Sequence, residues 1–211
     1  ITPDDADLER AAVYTFRSAV AARWREGPVL IAGDAAHQMP PFMGQGMCAG
    51  VRDVANLAWK LDHAISAGDD AILDSYGSER ASHVTEFIDL TMRLGKLINQ
   101  TAAGGAPKGQ MKSIWPGLGP GLGERDDVAG RLAPQPRVDD GTLADDAAKG
   151  GFYILARTPI EASVPVFTEA TDWLSENGVF AVLVRPDGYV FSAAKDQAGA
   201  ADLLGVGRVG L

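Results

Sequence analysis

Between Gly104 and Gly123, ten of twenty residues are glycine or proline. Proline removes a backbone donor and glycine carries the largest entropy loss on ordering, so such a run cannot hold a regular element. It reads as a linker or long surface loop, and it divides the chain into residues 1–103, a linker over 104–125, and residues 126–211. The textures on either side differ, which predicts two mixed α/β units rather than one continuous array.

Upstream, Val13-Tyr14-Thr15-Phe16-Arg17-Ser18-Ala19-Val20 alternates in polarity. Gly27-Pro28 then forms a turn before the apolar run Val29-Leu30-Ile31-Ala32, which predicts a short strand buried on both faces. Residues 47 to about 100 predict two helices broken at Gly68-Asp69-Asp70. In the first, Val54, Leu57, Ala58, Leu61 and Ile65 recur at helical spacing as a buried stripe. In the second, Val84, Phe87, Ile88, Thr91, Leu94 and Ile98 share a face, and the polar residues between them read as solvated surface. Downstream, Phe152–Ala156 predicts a strand and 167–176 a short helix stopped by Asn177-Gly178. A hairpin is expected from 179–184 and 189–191 around Arg185-Pro186-Asp187-Gly188, and a last helix near 196–204.

The segment from Gly33 to Gly50 offers chemistry. A strand would deliver Asp34 to its carboxyl end, where open α/β sheets bind ligands and a carboxylate accepts hydrogen bonds from sugar hydroxyls. Gly33, Ala35 and Ala36 are small enough to let a ligand come close. Pro40-Pro41 stiffens the chain, and Gly44 and Gly46 free the backbone at the expected start of a helix. Amides exposed there form an anion site. A hydroxyl acceptor and an anion cradle about ten residues apart suit a sugar-linked, electron-accepting ligand; glycines before a helix also occur as plain turn chemistry.

The run Gly33-Asp34-Ala35-Ala36-His37, then Pro40-Pro41, Gly44-Gln45-Gly46, Arg52-Asp53, Asn56-Leu57 and Trp59-Lys60-Leu61 resembles the flavoprotein aromatic hydroxylases. These are single-component, FAD-dependent monooxygenases related to para-hydroxybenzoate, phenol and 3-(3-hydroxyphenyl)propionate hydroxylases. The similarity extends to Tyr14-Thr15-Phe16-Arg17, Asp74-Ser75-Tyr76 and Glu79-Arg80. It implies the C-terminal part of an FAD-binding, Rossmann-like hydroxylase domain. From about Asp126, resting mainly on Leu183-Val184-Arg185-Pro186-Asp187-Gly188, it implies a small thioredoxin-like α/β domain. On this resemblance Gly33 and Asp34 meet the ribityl chain of FAD, and Pro41 is the catalytic position beside the flavin ring, near where oxygen and substrate meet. Gly44 and Gln45 also bind the cofactor, and the amides around Gly46, Met47 and Cys48 face its pyrimidine edge. NADPH or NADH would reduce the flavin, and a phenolic small molecule would be the substrate. The family's dinucleotide fingerprint belongs ahead of the residues present here, so the expected partner is a missing N-terminal part of the same protein, and the chain alone is expected to be inactive. A non-catalytic interaction or homodimerisation module derived from such an enzyme is the alternative.

The net charge of −9 disfavours a nucleic-acid backbone as partner. No run approaches the roughly 20 apolar residues of a membrane span. Cys48 is the one cysteine, which rules out an internal disulfide or a dithiol redox centre and fits a reducing cytoplasm. It reads as a small packing residue. His37, His63 and His83 lack ligand spacing, so no metal is expected. His37 is expected to bond nearby backbone, Arg52 and Lys60 to form surface ion pairs, Trp59 to pack in the core, and Asp53 and Asn56 to anchor the helix.

Overall fold

The computed structural model describes residues 5, 7, 9–102, 116–122 and 126–203. The chain opens with short pairings. Strand β1 (Ala19–Val20) and, further on, β4 (His37–Gln38) pair antiparallel, as do β2 (Arg25–Glu26) and β3 (Val29–Leu30). Most of the alternating stretch before β1 is exposed and irregular. The strand expected over 29–32 is corrected: it shrinks to two residues in a hairpin, and Val29 is 62% exposed. A two-residue ladder gives that outer face nothing to pack on. The hairpin is nevertheless anchored. Arg25 pairs with Asp70 and, at 2.7 Å, with Asp74, and the Tyr76 hydroxyl donates to the Ile31 carbonyl at 3.0 Å. Trp24 stacks edge-on against Tyr76 in the core beneath.

Two long helices follow, α1 (Gln45–Ala67) and α2 (Asp74–Ala102). The break falls where turn chemistry places it, with Gly68 at φ +68° closing α1. Helix α2 buries Val84, Phe87, Ile88 and Thr91, with Leu94 half-buried and Ile98 largely exposed. Helix α1 meets its expected face only in part: Leu57 and Leu61 pack half-buried against the core, but Ala58 is exposed. Val54 is 58% exposed and Ile65 79%, whereas Ala49, Asp53, Asn56, Lys60 and Ala64 are buried. These five recur at spacings of three and four, so they form one stripe, and it is largely polar. The polar residues between the apolar positions of α2 are exposed as expected, Thr85, Glu86, Asp89, Arg93 and Lys96 among them, whereas Glu79, Arg80 and His83, ahead of Val84, are buried. Charged side chains lie inside because each helix supplies the other's counter-charges.

Of the expected linker, 103–115 and 123–125 lie outside the described residues. Residues 116–122 are no surface loop. Leu118 and Gly119 are buried, Gly119 N–H donates to the Glu79 carbonyl at 2.8 Å, and Leu118 N–H to the Gly130 carbonyl at 2.8 Å. The alternating glycines explain the fit. A Cβ on Gly119 would stand 2.2 Å from the Ser78 carbonyl oxygen, and one on Gly117 2.8 Å from the Gly130 oxygen. The composition that forbids a helix here permits a ribbon laid directly on the α2 backbone.

The remainder builds a four-stranded sheet in the order β6-β5-β7-β8 from β5 (Tyr153–Ala156), β6 (Val166–Phe167), β7 (Ala181–Val184) and β8 (Val190–Ala194). Strands β5 and β6 run parallel and the other pairs antiparallel. Strands β5 and β7 are buried throughout, so core lies on both faces. Three short helices, α3 (Ala144–Ala147), α4 (Thr171–Glu176) and α5 (Gln197–Ala201), complete the unit. The helix expected over 167–176 starts later, because Val166–Phe167 joins the sheet. The Asn177-Gly178 stop and the 185–188 turn fall as read, Gly188 having φ +79°. Helix α5 begins at Asp196, whose carboxylate caps Gly199 N–H at 2.8 Å; Leu204 lies outside the described residues.

Candidate functional site

Gly33 takes φ +58° and opens a tight turn over Gly33–Ala35, closed by Ala36 N–H donating to the Gly33 carbonyl at 2.8 Å. A left-handed φ favours glycine over any β-carbon-bearing residue. The turn is pinned from α1. Asp53 Oδ2 accepts from Gly33 N–H at 3.0 Å and stands 2.8 Å from His37 Nε2, while Asp53 Oδ1 accepts from Arg80 Nε at 2.8 Å. Asp53, His37 and Arg80 are all buried. Burial pushes the Asp53 carboxyl upward, but the His37 hydrogen bond and the Arg80 charge outweigh it and hold the group below its ordinary value. Asp53 therefore anchors the helix, as expected, but anchors the turn with it. The expectation for His37 is corrected: its Nε2 bonds the Asp53 carboxylate rather than backbone. Helix and turn meet closely, since a Cβ on Gly50 would lie 3.4 Å from Gly33 Cα.

A second tight turn, Pro41–Met43, follows Pro40, and Gly44 at φ +62° caps α1 without offering a side chain to its first amides. The Gln45 amide oxygen instead accepts from Arg52 at 3.1 Å, which draws that side chain along the helix. Arg52 makes this bond and lies over the Phe87 ring, and it forms no ion pair among the described residues. The free first-turn amides carry the positive end of the helix dipole.

Of the expected flavin-contact residues, Gly33 and Met47 line an open, largely apolar hollow of about 450 Å³ together with Ala32, Gly50, Val51 and Val54. Asp34, on the adjoining turn, is exposed, as are Pro41 and Gly44. Gln45, Gly46 and Cys48 are half-buried, and none of these six borders the hollow itself. Among the described residues no cluster of His, Cys, Asp or Glu is placed to hold a metal ion, and no helix is long and apolar enough to cross a membrane.

One turn further along α1 lies a second buried network, which periodicity hid. Arg185 grips Glu79 with two nitrogens at 2.9 and 2.8 Å, and Lys60 Nζ, Asn56 Nδ2 and Leu122 N–H reach the same carboxylate at 2.8, 2.9 and 2.9 Å. Arg185 also bonds Asp187 at 3.0 and 2.7 Å, and Asn56 donates to Asp187 at 2.9 Å. The guanidinium lies 5.1 Å from the centroid of the half-buried Trp59 ring. Lys60 thus pairs inside the protein, not at its surface. Burial pulls its ammonium down to about 8 against the opposing pull of Glu79. Burial raises Glu79, yet Arg185 and Lys60 bring it down to about 2. Two carboxylates meet two cations, so the network is neutral and its members are engaged with one another. That makes it a tie between elements rather than a reactive group. The available signal was the i, i+3, i+7 set Asp53-Asn56-Lys60 facing the adjacent pair Glu79-Arg80.

Residues 2–91 match a family model described as an FAD binding domain. The chain is 36% identical to a probable NADH-specific resorcinol 4-hydroxylase of Rhodococcus jostii, over 99% of this chain and 47% of that protein. It is 40% identical to a 3-(3-hydroxy-phenyl)propionate/3-hydroxycinnamic acid hydroxylase of Mycolicibacterium vanbaalenii, over 69% of this chain and 26% of that protein. Among solved structures, aklavinone-11 hydroxylase in a ternary complex with FAD and aklavinone superposes with a TM-score of 0.63 at 23% identity, covering 90% of this chain and 44% of that one. The chain spans less than half the length of each. The sequence holds one Gly-x-Gly-x-x-Gly spacing, Gly205 to Gly210, outside the described residues. It comes after α5 rather than after a strand, so it lacks the context of a dinucleotide fingerprint.

Proposed function

We propose that this chain belongs with the flavoprotein aromatic hydroxylases and supplies one wall of the flavin site in a longer monooxygenase, a reading supported by the FAD binding domain match over residues 2–91 and by the hydroxylase relatives. That enzyme hydroxylates a phenolic ring using NADPH or NADH and oxygen. The chemistry that bound FAD would supply is hydride acceptance from the nicotinamide and activation of O2, one oxygen atom going to the ring and the other leaving as water. The protein's part is to bind and orient. The exposed Asp34 carboxylate accepts hydrogen bonds from hydroxyls of the ribityl chain. The amides of Gly46 and Met47, ahead of the first intrahelical bond, donate to the pyrimidine edge with Cys48 beside them, where the helix dipole favours negative charge. Gly44 and Gln45 set the entry of α1, and Pro41 stiffens the turn beside the ring.

One observation carries this reading. Gly33 and Gly44 have left-handed backbones, and Gly50 faces Gly33 at contact distance. Gly46 has neither reason: it is helical, and a Cβ there would meet none of the described residues within 4 Å. A helical glycine costs roughly 0.5–1 kcal/mol relative to alanine. A glycine where packing among the described residues would accept alanine leaves room for a ligand approaching from outside. Gly46→Ala in the longer enzyme is therefore expected to leave the apoprotein as stable or more stable while weakening FAD binding. Unchanged FAD affinity in a titration of the apoprotein would reduce Gly46 to a surface position.

The exposed faces fit a longer protein. Met47, Val51, Val54, Ala58 and Ile65 line the outer face of α1, with Met47 79% exposed, and such a stripe calls for an apolar cover. The remainder of the longer chain is the proposed cover. The strand order β6-β5-β7-β8, with one parallel and two antiparallel pairings, supports reading residues 126–211 as a thioredoxin-like unit. Cys48 lies outside it, so the unit packs rather than exchanging disulfides.

A further inference from the structure

Helix α1 carries two buried ties on successive turns of one face. Asp53 holds the Gly33 turn through its N–H, and Asn56 and Lys60 hold Glu79. Helix α2 repeats the arrangement with neighbouring residues, Arg80 reaching Asp53 and Glu79 reaching Arg185. The β7–β8 turn carries the sheet's polar contact with the helices, Arg185 and Asp187 meeting Glu79 and Asn56 inside the protein, beside the ring contact of Trp59 with Phe152. The Arg185 contact spans 106 residues and the Asn56–Asp187 contact 131. Nothing in the local chemistry of a four-residue hairpin turn needs a buried arginine, and the turn closes by its own backbone bond from Gly188 N–H to the Arg185 carbonyl at 2.9 Å. The two side chains therefore act outward, on the helix pair.

We propose that Arg185 and Asp187 are positioning residues of the flavin site: through Glu79 and Asn56 they fix the rotation and axial placement of α1, and so the placement of the Gly33–Asp34 turn and the Gly46 and Met47 amides. This rests on reading Gly33–Cys48 as the flavin wall. The downstream sheet is then a brace for the cofactor site, and the path is short. Asp187 bonds Asn56, Asn56 lies three residues from Asp53 on one helix face, and Asp53 bonds Gly33. A planar guanidinium held by two carboxylates transmits orientation as well as charge, because its fork fixes both partners in one plane.

The test uses the longer FAD-containing enzyme with Asp187→Asn, which keeps the side-chain shape and removes the charge. Arg185→Lys, which keeps the charge and loses the fork, serves as the second variant should the first not fold. FAD dissociation constant and visible flavin spectrum are read beside melting of the apoprotein, with Asp34→Ala as a direct-contact control. The expected result is FAD binding weakened about three- to thirtyfold and a shifted flavin band in folded, fully loaded variant, with Asp34→Ala also loosening FAD. If Asp34→Ala loosens FAD but the brace variants lower only the melting temperature, the positioning role is overturned and the flavin wall stands. If neither changes FAD affinity or spectrum, the flavin wall itself is wrong and the positioning role goes with it.

Discussion

Replacing Glu79 with glutamine is expected to cost the fold about 3–5 kcal/mol, the range for breaking a buried ion pair by removing one partner. The wild-type carboxylate accepts from Arg185, Lys60, Asn56 and the Leu122 amide, all within 2.9 Å. Glutamine keeps the shape but leaves two buried cations facing Asp187 alone. It also turns an NH2 group toward donors that have no lone pair to offer. The pH dependence should change in step. The folded Glu79 carboxyl sits near 2, below its ordinary 4.5, so its contribution is complete above about 4.5 and drains away as pH falls toward 2. Urea unfolding between those values should show a loss of stability in wild type that the Glu79→Gln variant lacks. A variant within about 1 kcal/mol of wild type at neutral pH would mean that the network is solvated.

Asp53→Ala is the second large effect, again about 3–5 kcal/mol, with a local signature. It leaves the Arg80 guanidinium buried without its carboxylate, removes the partner of His37 Nε2, and frees the Gly33 amide. Hydrogen exchange separates the two consequences. Global destabilisation speeds exchange across α1 and α2, whereas loss of the anchor raises exchange at Gly33 beyond that common increase. Gly33 exchange that rises only in step with the helices would show that the turn holds itself.

Much of the fold was legible because local chemistry fixes it. Gly68 followed by Asp69-Asp70, and Asn177-Gly178, end helices with glycine in a left-handed backbone, and Arg185-Pro186-Asp187-Gly188 can hardly do other than turn. The interior of α1 was not legible, and the reason is physical. Hydrophobic periodicity assumes that the buried face is the apolar one. Here that assumption selects Val54 and Ile65, which are exposed, over Asp53 and Lys60, which are not. The counter-charges that make burial possible stand 27 and 19 residues away in sequence, and the guanidinium that completes the second network comes from the far side of the glycine-proline run. That run misled for a related reason. Composition excludes regular structure without requiring exposure, and Gly117 and Gly119 fill contacts that no larger residue allows. In the candidate site, the residues at its surface, Asp34 and Gly46, could be found from turn chemistry and family resemblance. The carboxylate that fixes Gly33 from beneath could be read only as a helix anchor.

That Gly33–Cys48 forms a wall of the flavin site is tested most directly by titrating FAD into the apoprotein of the longer enzyme, wild type against Asp34→Ala. Asp34 is exposed, so its loss should leave melting of the apoprotein unchanged. A hydrogen bond to a charged group is worth roughly 1.5–3 kcal/mol, and the predicted result is a dissociation constant raised about ten- to a hundredfold. An unchanged constant in a folded variant would contradict it.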